Sequence, residues 1–174
     1  MPQKYPLEQL MMIKKNRFEQ AVRTLEEKKA LLEKAQAKLA QLTQERDEVA
    51  SHRSAKLTQL RAALDEGLPT NKIQQMKFYL KIVDEDLAEK QKKVTEQKKQ
   101  VDLAQNQVDL ATAEMFQRKK DLEKLEIHHE EWKKEMRQII SRKEEGIADE
   151  QGAATHTIRK YEEKRREKEK DQEG

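Results

Sequence analysis

Cysteine is absent from this chain of 174 residues, which also holds only four glycines, three prolines, one tryptophan, three tyrosines and three phenylalanines. Without cysteine, a disulfide scaffold, a thiol nucleophile and a thiolate metal site are excluded. So few turn-forming residues are poorly suited to a β-rich fold, which needs a turn after each short strand. Hydrophobic residues make up only 34% of the chain, which is too little for a large compact core.

Long apolar runs are also missing from the sequence. No stretch approaches the roughly 18 apolar residues of a membrane-spanning helix. The N-terminal sequence Met1-Pro2-Gln3-Lys4 does not lead into the apolar core of a signal peptide. We therefore expect a cytoplasmic chain that does not insert into a membrane.

Charged residues, by contrast, make up 41% of the chain, with 37 basic and 34 acidic side chains and a net charge of +3. The two signs are nearly balanced within residues 1–66, 72–146 and 147–174. A nucleic-acid-binding protein usually concentrates its basic residues on one surface. Mixed charges are instead typical of exposed helices with ion pairs between successive turns. We therefore expect no nucleic-acid partner.

One strong break divides the first 145 residues. Gly67 can end a helix in the left-handed conformation, Pro69 cannot continue one, and Thr70 or Asn71 can cap the next. Both flanks are rich in Lys, Glu, Gln, Ala and Leu, the strongest helix formers. The sequence therefore predicts four segments: a first helix over 1–66, a turn over 67–71, a second helix over 72–145, and a charged tail over 146–174.

The apolar residues of the second helix repeat every seven positions. Nine of the ten positions counted in sevens from Ile73 to Met136 are apolar, and so are seven of ten in the series three residues further on. Such a repeat predicts a helix that supercoils around a partner. A short turn makes the two helices antiparallel neighbours, so that residues whose numbers sum to roughly 138 lie at one height. We therefore predict an all-α, antiparallel two-helix coiled-coil hairpin.

Two irregularities interrupt this pattern. In the first helix the seven-residue spacing holds from Phe18 to Leu39, and the apolar positions then move to Leu57, Leu60 and Leu64. This shift predicts a phase slip, or stutter, near Arg53. In the tail, Gly146 and Gly152 predict interruptions of the helix, and we expect this segment to be a weakly ordered helical tail.

Residue patterns typical of catalysis are missing. The nearest candidate for metal or acid–base chemistry is the run His128-His129-Glu130-Glu131, but adjacent histidines point about 100° apart on a helix and cannot share one ion. His129 lies on the predicted seam, where we expect it to pack near Trp132. A two-helix hairpin has no pocket that excludes water. We therefore predict a protein that is not an enzyme and has no catalytic, metal or cofactor site.

The outer face of the second helix carries apolar residues close to the turn. Phe78 and Ile82 are one helical turn apart on that face, and Tyr79 lies beside them. Exposed aromatic and branched aliphatic residues without a role in the seam favour a docking surface. The alternative is that Leu68 and the turn fold back over these residues.

Several residues outside the heptad pattern resemble a known family. They are Tyr5-Pro6-Leu7-Glu8, Ile13-Lys14-Lys15 with Arg17, Gln75-Met76-Lys77 with Tyr79, Lys81 and Val83, and His129 with Glu131-Trp132 and Lys134-Glu135. In these positions the chain resembles the YscO/FliJ family of bacterial type III secretion and flagellar export. The similarity extends from Lys4 to about Glu167 and is greater to the YscO-like virulence branch than to FliJ.

The resemblance implies the function of a central stalk in a type III secretion system. The end that carries both termini would insert into the hexameric export ATPase and stimulate or couple it, and the turn would contact the cytoplasmic domain of the export gate. Chaperones of secreted translocator subunits are further implied partners. The implied location is the cytoplasm, in peripheral association with the secretion apparatus at the inner membrane.

Carried onto this sequence, the resemblance assigns two sets of contact residues. The gate or chaperone contact would use Met76, Phe78, Tyr79 and Ile82. The ATPase contact would use Leu7, Lys14, Lys15, Arg17, Lys133, Arg137 and Arg142. Two alternatives stay open: an escort protein that binds secretion chaperones, and a generic coiled-coil scaffold that dimerises through its tail.

Overall fold

In the computed structural model, residues 4–172 are described, with side chains described through residue 167. Helix α1 comprises Glu8–Asp65 and helix α2 comprises Thr70–Gln172. Both helices pack against each other and no strand occurs in this part of the chain, which confirms the predicted all-α helical hairpin. Residues 1–3 and 173–174, which belong to the predicted first helix and tail, lie outside the described residues.

The turn between the helices is closed by backbone hydrogen bonds. Gly67 has a φ of 70°, a left-handed conformation that glycine adopts without a steric penalty. Its N–H donates to the Leu64 carbonyl, and the Leu68 N–H donates to the Ala63 carbonyl. These two bonds form a Schellman motif, which satisfies the last carbonyls of α1. The Pro69 carbonyl then accepts the N–H groups of the first turn of α2.

The structure divides into two compact units. One, the terminal unit, comprises Met1–Met12 and Asp121–Gly174, and the other, the hairpin unit, comprises Ile13–Lys120. The core of the hairpin unit is a narrow seam of small and branched side chains: Ala21, Leu25, Leu60, Ala63, Val83, Val94, Val108 and Ala111. Val94 is fully buried. The seam positions of α2 recur every seven residues, as the sequence predicts.

The predicted phase slip near Arg53 is wrong. Buried and half-buried positions of α1 keep the seven-residue spacing through Leu32, Leu39, Arg46, Arg53 and Leu60, whereas Leu64 is 49% exposed. Long basic side chains can occupy such positions because their aliphatic stems lie along apolar surface while the charged groups reach polar partners. The guanidinium of Arg53 donates to the Asp84 carboxylate, and that of Arg46 donates to Gln91.

Polar contacts fix the register of the hairpin unit. Gln97 Nε2 donates to the Ala35 carbonyl at 3.0 Å, and Lys90 Nζ donates to the Glu45 carboxylate at 3.0 Å. Across the polar pairs between α1 and α2 of this unit, the residue numbers add up to between 131 and 137. The sequence predicts a sum of roughly 138, so the observed pairing of the two helices differs from the predicted pairing by at most about two helical turns.

The predicted interruptions at Gly146 and Gly152 are also wrong, because α2 continues through both glycines. A glycine costs a helix only about 1 kcal/mol relative to alanine, and no proline follows them. The side chains of residues 137–167 are all exposed, so nothing within the described residues covers this part of α2. Weak order of the tail stays a prediction. Neither helix of residues 4–172 holds an apolar stretch long enough to span a bilayer.

Candidate functional site

An exposed apolar patch lies on α2 a few residues after the turn. Phe78 is 66% exposed and Ile82 is 47% exposed, and their spacing of four residues places them on one face of the helix. Leu68 does not cover them. It lines a groove together with Met76 and Tyr79, so the alternative of a turn folded back over Phe78 and Ile82 is wrong.

Tyr79 differs from Phe78 because it is held by α1. The Tyr79 hydroxyl lies 3.0 Å from His52 Nε2, and the two rings meet edge to face with their centroids 6.0 Å apart. Lys56 Nζ lies 5.7 Å from the centroid of the Tyr79 ring, within the range of a cation–π interaction. The contacts of Tyr79 with His52 and Lys56 therefore stabilise the pairing of α1 and α2, and the rest of the Tyr79 side chain is exposed to solvent.

Met76 is half-buried at a seam position and is the least exposed of the four residues predicted for the gate or chaperone contact. Its accessible part faces an open groove of about 390 Å³ between α1 and α2. The groove is lined by Lys56, Gln59, Leu68, Lys72, Gln75, Met76 and Tyr79. The four predicted residues thus divide between an outer patch, formed by Phe78 and Ile82, and the groove.

In the terminal unit, Tyr5 is the centre of an aromatic cluster. Its side chain is only 6% exposed, and its ring centroid lies 4.4 Å from that of His129 and 5.4 Å from that of Trp132. The Tyr5 hydroxyl lies 2.6 Å from His128 Nδ1. His129 also stacks with Trp132 at 6.2 Å, which confirms the predicted packing of these two residues.

Sequence reasoning missed Tyr5 as a structural residue. The Tyr5 carbonyl accepts the N–H of Glu8, so that Pro6 occupies the entrance to α1, where its missing N–H costs nothing. This arrangement orients the Tyr5 ring toward α2. The register places Tyr5 at the height of Trp132, because their numbers add up to the same range as the pairs in the hairpin unit, but it does not give the direction of the Tyr5 ring.

The predicted ATPase-contact residues fall in both units, and four of them belong to the terminal unit. Leu7 is half-buried, whereas Arg137 and Arg142 are exposed. Lys133 Nζ donates to a Glu130 carboxylate oxygen at 2.9 Å. This hydrogen bond and the charge of Lys133 hold the pKa of Glu130 below its ordinary value. Lys133 therefore already has a carboxylate partner, and Arg137 and Arg142 are the exposed cations among these four residues.

The other three predicted ATPase-contact residues belong to the hairpin unit. Lys15 and Arg17 are exposed. Lys14 is half-buried and interacts with other groups of the chain. The exposed pair is thus the part of this set that a partner could reach without rearrangement.

His128 and His129, the nearest candidates for metal or acid–base chemistry, lie in the terminal unit. Within the described residues, no group of three or more His, Asp or Glu side chains is placed to hold a metal ion. His128 and His129 contact Tyr5 from different directions, in keeping with their divergence on the helix. The accessible features of the two units are the apolar patch of Phe78 and Ile82 and the exposed basic side chains, which are suited to contacts with other molecules.

Comparison with known proteins agrees with this architecture. A family model described as YscO-like protein matches residues 1–162. The solved structure of a protein from Chlamydia trachomatis, described as a YscO homolog, is 40% identical and superposes with a TM-score of 0.82, covering 91% of this chain and 98% of that chain. No curated protein sequence matches the chain. Because both similarities extend over nearly the whole length, the chain belongs to the YscO-like family and is a type III secretion-related protein.

Proposed function

We propose that this chain is the non-enzymatic central stalk of a type III secretion system. In this role it inserts into the hexameric export ATPase, stimulates or couples it, and contacts the cytoplasmic domain of the export gate. The observation that carries the proposal is a YscO-like helical hairpin whose interior is only a heptad seam, with accessible apolar and basic residues outside that seam. Such a chain acts through its surfaces and through the stiffness of its paired helices.

A stalk requires that its two paired helices do not slide along each other. In the hairpin unit, Gln97 bonds the backbone of α1, and ion pairs join Lys90 to Glu45 and Arg53 to Asp84. A shift of α2 by one helical turn would separate all of these partners and leave Gln97 buried without its hydrogen bond. These contacts favour a hairpin that transmits a displacement as a unit.

The exposed arginines of the terminal unit are the sharpest test of the ATPase contact. We expect the purified cognate ATPase to hydrolyse ATP faster with this protein than without it. The double substitution Arg137→Glu and Arg142→Glu should reduce the stimulation about tenfold or more, because reversing two contact charges costs binding free energy. Lys34→Glu with Lys38→Glu, two exposed lysines of the hairpin unit, is the matched control and should stimulate like the wild type.

The result that would count against the stalk role is equally direct. If the wild-type protein neither stimulates the ATPase nor co-purifies with it, the proposal is wrong. If the arginine and the control variants lose stimulation equally, the contact depends on net charge and not on the terminal unit. Circular dichroism of each variant would show whether the helical content is unchanged.

A second candidate function, an escort of secretion chaperones, is favoured by the exposed patch of Phe78 and Ile82. The double substitution Phe78→Ala and Ile82→Ala distinguishes the two roles. As a stalk, the variant should lose binding to the gate domain by roughly tenfold or more, since exposed aromatic anchors often dominate an interface. Loss of chaperone binding with intact gate binding and ATPase stimulation would favour the escort instead.

A further inference from the structure

The turn end of the hairpin, defined as residues 49–83, is basic although the chain as a whole is nearly neutral. It contains six Lys and Arg residues and only two acidic residues, Asp65 and Glu66. This excess of four positive charges is larger than the net charge of +3 for the entire chain. The first turn of α2 holds no acidic residue, so no carboxylate of that turn offsets the positive end of the helix dipole.

The groove between α1 and α2 lies within this turn end. Two of its lining residues are lysines, two are glutamines, and the other three are Leu68, Met76 and Tyr79. None of the residues that line it is acidic, and within the described residues neither Lys56 nor Lys72 forms an ion pair. The groove therefore combines three apolar or aromatic side chains with two ammonium groups that lack a carboxylate partner.

Lys56 is positioned by its neighbours and not extended into solvent. It is half-buried, lies over the Tyr79 ring at 5.7 Å, and donates to Gln59 Oε1 at 3.2 Å. An ammonium group has three donors, so at least one remains for a ligand. Holding this cation in place before binding reduces the entropy that a complex would lose.

We infer that this groove binds a segment of a partner protein that carries carboxylates beside an apolar anchor. The carboxylates would pair with Lys56 and Lys72, and the anchor would lie on Leu68, Met76 and Tyr79. The inference rests on the proposed function in taking the turn end as a docking surface, and it adds the chemistry of the partner. Phe78 and Ile82, on the neighbouring face, would extend the apolar contact.

A nucleic acid and a lipid surface fit the groove less well. A nucleic acid is bound by a row of cations that follows its phosphates, whereas only two of the seven residues that line this groove are lysines and three are apolar or aromatic. An anionic membrane favours apolar residues that protrude from a basic face, but Leu68 and Met76 are half-buried within the groove. The amides of Gln59 and Gln75 are suited to the polar groups of a peptide.

The test uses the full chain and short fluorescent peptides with one central Leu-Phe pair. One peptide is flanked by glutamates, one by glutamines and one by lysines, and anisotropy reports binding. We expect only the glutamate peptide to bind, and to bind less tightly as salt is added. The substitutions Lys56→Gln and Lys72→Gln together should weaken its binding about tenfold. Lys34→Gln with Lys38→Gln, which removes two exposed lysines elsewhere, should leave it unchanged.

The outcomes that would overturn the inference are distinct from failure of the stalk role. The inference is wrong if the glutamate and glutamine peptides bind equally, if neither binds, or if both lysine pairs matter equally. It is also wrong if phosphatidylserine vesicles, and not the peptide, bind in a manner that requires Lys56 and Lys72. ATPase stimulation is measured on the same samples. Peptide binding by a protein that neither stimulates the ATPase nor co-purifies with it would remove the stalk role and leave the groove assignment in place.

Discussion

At the scale of single residues, Tyr5 lies before the first residue of α1 and is nevertheless among the most buried side chains of the chain. It contacts three aromatic rings of α2 and shares a hydrogen bond with His128. A buried tyrosine with a satisfied hydroxyl contributes both apolar area and a polar anchor. The short segment in front of α1 is therefore an integral part of the terminal unit.

We predict that Tyr5→Ala destabilises the protein by about 3 kcal/mol, the usual loss for a buried aromatic side chain. Tyr5→Phe keeps the ring and removes only the hydrogen bond, so it should cost about 1 kcal/mol. Phe78→Ala removes an exposed ring and is the control, with an expected change within about 0.5 kcal/mol. Urea unfolding followed by Trp132 fluorescence measures all three. A Tyr5→Ala variant as stable as the control would contradict this prediction.

Prediction from sequence succeeded for His129 and Trp132 but failed for Tyr5, for a physical reason. His129 and Trp132 occupy heptad positions, and a heptad pattern directly indicates which residues of a helix face the partner helix. Tyr5 lies outside both helices, where no period constrains the direction of a side chain. Its position follows from the hydrogen bond between its carbonyl and the Glu8 N–H, which only the structure reveals.

At the scale of the helices, polar residues keep the seam in phase where apolar residues are lacking. Arg46 and Arg53 occupy consecutive heptad positions of α1, and Lys90 and Gln97 occupy consecutive positions of α2. An assignment of the α1 seam from apolar residues alone passes over Arg46 and Arg53 and produces the predicted stutter. Polar residues at such positions can specify register, because every other alignment leaves them without partners.

The ion pair between Glu45 and Lys90 predicts a pH dependence of stability. The hydrogen bond from Lys90 holds the pKa of Glu45 below its ordinary value of 4.5, and the hydrogen bond to Glu45 raises the pKa of Lys90 above 10.5. The contribution of Glu45 is therefore fully present above pH 4.5 and is lost as the pH falls through its lowered pKa. That of Lys90 is present below pH 10.5 and is lost as the pH rises through its raised pKa.

We expect Glu45→Gln to lower the free energy of unfolding at neutral pH and to equal the wild type in strong acid. The difference should be largest at low ionic strength, because the pair is accessible to solvent and is screened by salt. Glu33→Gln, at an exposed position of the same helix, is the control for a simple change of net charge. Urea unfolding at a series of pH values measures both variants. A constant difference between Glu45→Gln and wild type at every pH would show that the pair does not titrate as proposed.

At the scale of the whole molecule, the hairpin could be predicted from two features of the sequence. They are the turn signal at Gly67 and Pro69 and the seven-residue apolar repeat of the second helix. Counting charge by helix, however, misses the concentration of positive charge at the turn. Residues 49–64 and 70–83 contain no acidic residue, but they belong to different helices. Charge counted by helix is balanced, and only folding back at Gly67 brings the two acid-free stretches together. The groove with Lys56 and Lys72 has the same origin, since each helix supplies one lysine.

The continuation of α2 through Gly146 and Gly152 leads to a prediction about the complete chain. Side chains from 146 to 167 are exposed, so a truncation after Glu145 removes helix without removing described packing. We expect a loss of helical circular dichroism signal with a change in unfolding free energy within about 0.5 kcal/mol. Light scattering should show the mass reduced only by the deleted residues. If the mass of the assembly instead fell by about half, the tail would be the segment that joins two copies. A second chain would then cover Ile147, Ile158 and Tyr161, which are exposed in the single chain. The scaffold alternative would in that case replace the stalk.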